Sequence, residues 1–86
     1  MERTEILAGL VEILKTVRMI DQDKLAFITE DTDFIADLKT PSTEMINIAA
    51  KAEQKFDIEF DDDDIDDLGS KVKDIIDLIV ATKERD

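Results

Sequence analysis

Residues 37–60 read DLKTPSTEMINIAAKAEQKFDIEF, and this stretch decides the fold. Met45, Ile48 or Ala49, Ala52 and Phe56 recur at helical spacing, which predicts a helix over residues 41–56. Its start is marked twice. Thr40 is a cap-type residue, and Pro41 suits the first helical position, where its missing N–H would have no partner in any case. Three alanines leave one side of this helix shallow, so another element or a ligand can approach closely. Asp57-Ile58-Glu59-Phe60 follows as a short connection with alternating apolar residues.

Toward the N-terminus, residues 21–41 read DQDKLAFITEDTDFIADLKTP and show no sustained period. A connection this long usually has a reason. Leu25, Phe27, Ile28, Phe34, Ile35 and Leu38 predict a loop pinned onto the core, with a short turn of helix in it. Before it, TEILAGLVEILKTVRMI (residues 4–20) sets Leu7, Leu10, Leu14 and Val17 on one stripe, widened by Ile6 and Ile13. Glu5, Glu12, Lys15 and Arg18 fall elsewhere, so this is a helix with Thr4 as its cap.

Toward the C-terminus, DDDDIDDLG (residues 61–69) has one apolar edge, Ile65 and Leu68. It reads as a short acidic helix ended by Gly69. Ser70 caps the last helix, SKVKDIIDLIVATKER, whose buried stripe is Val72, Ile75, Ile76 and Ile79. Lys83 and Arg85 suit the negative end of its dipole. The expected fold is all-α: a small antiparallel four-helix bundle of three main helices and one short one, with a long ordered loop between helices one and two. No internal repeat or boundary interrupts residues 1–86, which read as a single domain.

Composition narrows the function. A chain of 86 residues hides only about 60–65 % of its unfolded surface, enough for one modest core and no deep substrate pocket. The net charge of −12 repels nucleic acid and anionic membranes and attracts basic patches on other proteins. There is no Cys and no His, which removes disulfides and the usual nucleophile–base pairs and zinc sites. No constellation for catalysis is visible, so the chain is expected not to be an enzyme. No run approaches the roughly 18 apolar residues of a membrane span. MERTEILAGL lacks the basic-then-apolar order of a secretion signal, so a cytoplasmic protein is expected.

The chemistry concentrates where the loop meets helix two, at Asp37-Leu38-Lys39-Thr40-Pro41-Ser42-Thr43-Glu44. The Ser42 hydroxyl is expected in the first helical turn, among unsatisfied N–H groups and the positive dipole end, where a phosphodiester is stabilised. Serine and threonine also occur at helix starts simply because they cap them.

The wider pattern favours the first reading. Phe34-x-x-Asp37-Leu38, then Ser42, then a helix closing in Phe56-Asp57-Ile58-Glu59-Phe60 resembles the acyl carrier protein family. That family has Phe-x-x-Asp-Leu-Gly-x-Asp-Ser-Leu leading into its second helix, followed by a short acidic third helix and an apolar fourth. The resemblance covers residues 3 to 80 or so. Three positions depart from it: Lys39 stands for the family's Gly, Pro41 for its Asp and Thr43 for its Leu.

The resemblance implies a 4′-phosphopantetheine arm on Ser42, transferred from coenzyme A by a separate magnesium-dependent phosphopantetheinyl transferase. It implies a thiol that holds acyl groups as thioesters for fatty acid, polyketide or other lipid biosynthesis. Pro41 and Thr43 replace residues that the family's transferase reads, which marks a specialised carrier with a dedicated transferase. Glu44, Glu53, Asp57, Glu59 and Asp37 would form an acidic surface for basic-surfaced biosynthetic enzymes, diluted by Lys51 and Lys55. The same charges also read as ordinary solvated helix faces. A monomer is expected, with no nucleic-acid partner and no membrane insertion.

Two rival readings remain. The run Asp61–Asp67 fits no register of a calcium-binding EF-hand loop, so only weak, nonspecific divalent binding stays open and no metal site is expected. The chain also reads as an unmodified acidic interaction domain with a carrier-like fold. Ser42 separates that reading from the carrier.

Overall fold

The computed structural model describes residues 2–17 and 20–85. Among them are α1 (Arg3–Leu14), a 3-10 helix (Gln22–Phe27), α2 (Ser42–Phe56), α3 (Asp62–Asp66) and α4 (Val72–Arg85), and no strand. The bundle is built on α1, which packs against both α2 and α4. Its radius of gyration, 11.8 Å, matches the roughly 12 Å of a compact chain this long.

The predicted stripes form the core. Val72, Ile75, Ile76 and Ile79 of α4 meet Ile48, Ala49, Ala52 and Phe56 of α2 and Leu10, Ile13 and Leu14 of α1 in one buried cluster. On α1 the stripe is rotated slightly: Ile6 is fully buried and Leu7 only packs against the cluster's edge. Gly9 explains how α1 and α2 come so close. A Cβ at Gly9 would lie 2.6 Å from Cζ of Phe56.

Helix one is shorter than its periodicity predicts. It ends at Leu14, because side chains take over the carbonyls of its last turn. The Thr16 hydroxyl donates to the Ile13 carbonyl at 2.7 Å, and Gln22 Nε2 donates to the carbonyls of Leu14 at 3.0 Å and Val17 at 2.7 Å. Val17 and Ile20 are still buried beyond the helix end. Arg18 and Met19, the rest of the predicted helix, lie outside the described residues. Thr4 is not the cap either: that position is Glu2, with no side-chain hydrogen bond.

The loop is ordered, as its apolar residues predict, and includes the 3-10 helix, capped by Asp21 accepting from Asp23 N–H at 3.2 Å. Leu25, Phe34 and Leu38 are buried and Ile28 packs against the core. Phe27 and Ile35, expected to pin the loop as well, are 81 % and 44 % exposed. Each alternates with an inward neighbour, so the two point away from the core. The loop is stitched to the start of α4. Phe34 N–H donates to Ser70 O at 2.8 Å, Val72 N–H to Thr32 O at 2.9 Å and Lys73 N–H to Glu30 O at 2.8 Å. Arg3 adds a clamp at the other end, pairing with Glu30 at 2.5 Å and Asp77 at 2.8 Å.

Two helix boundaries obey different rules from those expected. Gly69 does not end α3 in a left-handed conformation, since no glycine here has positive φ. It is glycine because a Cβ would collide with the Asp74 carboxylate. That carboxylate caps α4 by accepting the Lys71 N–H at 3.2 Å. Ser70, the expected cap, instead donates its hydroxyl to Asp33 at 2.8 Å.

Candidate functional site

Ser42 is the first residue of α2, and it is exposed. Pro41 is the N-cap, with φ −61° and ψ 144°, so the helix begins one residue later than expected, with Ser42 and not Pro41 in its first position. Proline has no side-chain acceptor, so the helix start carries no side-chain cap. Glu44 N–H is satisfied by the Pro41 carbonyl at 2.9 Å. The Ser42 hydroxyl therefore stands at the positive end of a 15-residue helix whose cap is vacant.

Thr40 does not cap the helix. Its N–H donates to Phe34 O at 2.9 Å, which draws the residue inward until it is 1 % exposed. Its hydroxyl oxygen has no hydrogen-bond partner. Just before it, Lys39 adopts φ 58°, in the left-handed region. That conformation is nearly free for glycine and strained for lysine, which explains why the family pattern has glycine there.

Beside Ser42 lies a groove of about 300 Å³, at the lower end of the range for small-molecule sites. Ile35, Met45, Ile46, Ile65 and Leu68 supply its apolar walls, and Ser42 and Ser70 also line it. Ile46 is 62 % exposed, the large apolar side chain that α2 leaves open to solvent. This groove was not legible in the sequence: the alanines expected to leave one side of helix two shallow do not line it, and Ala49 and Ala52 are buried in the core instead. Its walls come from three separate stretches.

Asp33 is a bracing residue near the groove that the sequence concealed. Its Oδ1 accepts the N–H groups of Ile35 and Ala36, each at 2.8 Å, and its Oδ2 accepts the Ser70 hydroxyl. Hydrogen bonds from Ala36 and Ser70 hold its carboxyl below the usual range. An Asp that bonds the backbone two residues on is a turn signal. Here it was hidden among Glu30, Asp31 and Asp37.

The acidic residues separate into two groups. Asp37, Asp57 and Glu59 are exposed, whereas Glu44 and Glu53 are partly buried. Glu53 accepts the Phe60 N–H at 2.9 Å and so braces the connection from α2 to α3. Lys51 bends toward α1 and donates to the Thr16 hydroxyl at 3.1 Å. Among the described residues no three carboxylates gather as a metal site would require. No helix among them is long and apolar enough to cross a membrane.

The arrangement offers a place to display a group, with an apolar trough beside it. No protein-family model matches the chain. Individual relatives do. The chain is 33 % identical over 79 residues to an acyl carrier protein of Coprothermobacter proteolyticus, with 92 % of each covered. It is 37 % identical over 75 residues to an acyl carrier protein of Thermobifida fusca, covering 87 % of this chain and 90 % of that one. A meromycolate extension acyl carrier protein of Mycolicibacterium aurum is 32 % identical over 80 residues, covering 93 % and 78 %. The chain belongs to the acyl carrier protein family, and its role is that of a carrier. Nothing in these comparisons favours an unmodified interaction domain.

Proposed function

We propose that Ser42 is the attachment point of a 4′-phosphopantetheine arm, and that residues 1–86 form one carrier domain serving fatty acid or related lipid biosynthesis. The observation that carries this reading is the exposed Ser42 hydroxyl at the vacant cap of α2, next to the groove. The arm supplies a terminal thiol that holds an acyl group as a thioester. The chain's own residues do the rest. The unpaired N–H groups of the first turn face the phosphodiester, and Ile35, Met45, Ile46, Ile65 and Leu68 take up part of the acyl chain. Thr40 is too buried to be an acceptor, and Thr43, although exposed, stands at the position of the family's Leu.

The carrier performs no catalysis of its own in this reading. A phosphopantetheinyl transferase loads it, and basic-surfaced enzymes dock on Asp37, Asp57 and Glu59. It works as a cytoplasmic monomer, because a charge of −12 disfavours self-association. Co-expression with a phosphopantetheinyl transferase, followed by intact mass measurement, tests the proposal. The protein gains the mass of one arm and Ser42→Ala does not. No gain with any transferase, including one from the native host, favours the unmodified interaction domain.

A further inference from the structure

The groove beside Ser42 has two lips that are distant in sequence. One contains Ile35 and the other contains Gly69 and Ser70. The second lip lies close against the start of α4: a Cβ added at Gly69 would run into the Asp74 carboxylate, which accepts the Lys71 N–H. The first lip is less secure. The backbone bonds that stitch the loop to α4 run from Glu30 to Phe34 and stop one residue short of Ile35. Among the described residues no backbone bond from Ile35 reaches the other lip.

The Asp33 carboxylate spans that gap. One oxygen grips Ile35 and Ala36 N–H and the other grips the Ser70 hydroxyl, all at 2.8 Å. Hydrogen bonds to an ionised oxygen are about twice as strong as neutral ones. We propose that Asp33 is a positioning residue that straps the two lips together and so sets how well an acyl chain in the groove is shielded from water. The proposal builds on the carrier reading of Ser42, but the strap itself exists in the unmodified chain.

Two measurements test it. The unmodified protein is titrated with Nile red, a neutral apolar dye that the protein's charge does not repel. The protein loaded with a medium-length saturated acyl chain is exposed to hydroxylamine, and thioester cleavage is timed. Asp33→Ala weakens dye binding and speeds cleavage about fivefold, the worth of one net hydrogen bond. Asp33→Asn keeps an oxygen for Ile35 and Ala36 and offers its amide N–H to Ser70, so it restores both readings. Ser70→Ala falls between. Leu7→Ala, at the core edge on α1, lowers stability and leaves the groove as tight as before. Equal leakiness in Asp33→Asn and Asp33→Ala overturns the strap, and so does leakiness in Leu7→Ala. If the arm never attaches, the cleavage measurement fails while the dye still reports on the strap.

Discussion

Lys39 and Asp57 hold matching left-handed conformations, φ 58° and 56°, on either side of the helix that carries Ser42. Each turns the chain sharply where α2 must begin or end. At Asp57 the reversed backbone lets its own N–H and that of Ile58 return to the Glu53 carbonyl. Neither residue is glycine, so each stores strain of about 1 kcal/mol.

Replacing either with glycine releases that strain. Lys39→Gly is expected to raise stability by about 1 kcal/mol, or about 4–8 °C in Tm for a domain of this size. Asp57→Gly gains less, since Asp tolerates the conformation better than Lys. Lys39→Ala gains nothing. Thermal unfolding of the three variants checks the order.

Thr40 buries a hydroxyl oxygen with no partner. Thr40→Val keeps the shape and removes the unsatisfied group, so it is expected to stabilise by about 1 kcal/mol. Thr40→Ser keeps the hydroxyl, loses a methyl and destabilises. Urea midpoints separate the two.

The vacant cap at Pro41 predicts a change of recognition. Pro41→Asp supplies a carboxylate that can accept the Thr43 or Glu44 N–H, and Thr43→Leu restores the family's apolar neighbour. The double variant is expected to accept the arm from a general fatty-acid-synthesis transferase about tenfold faster, worth about 1.4 kcal/mol of recognition. Stability hardly moves, because the cap gained offsets the rigid proline lost. Initial rates by intact mass decide it.

Acid should weaken the loop first. Glu30 is held below its ordinary value by its hydrogen bonds to Arg3, and Asp33 by its bonds from Ala36 and Ser70. A depressed carboxyl contributes stability in full above its unfolded value, near pH 4. That contribution is lost as pH falls through the lower folded value. Between pH 7 and about 5, relief of the −12 self-repulsion works the other way. Tm is therefore expected to rise slightly on mild acidification and to drop below about pH 4. Glu30→Gln with Asp33→Asn flattens the drop.

The helices were legible because their apolar periods are strong, and α4 kept every residue of its predicted stripe. Their ends were less so. Thr16 and Gln22 close α1 with side-chain bonds, one from the next segment, that no period reveals. Gly69 is glycine for want of space and not for its φ, which only the packed chain discloses. Ser42 stood out through its neighbours. Asp33 did not, because its second partner, Ser70, lies 37 residues away.

That separation has a consequence for the life of the molecule. Contacts so far apart in sequence close late, after the local helices have formed. The lip of the groove and the approach to Ser42 are thus completed only when the start of α4 has been made and has docked. The stitch between loop and last helix makes this end of the molecule the last to be completed, so its surface is present only on chains folded through α4.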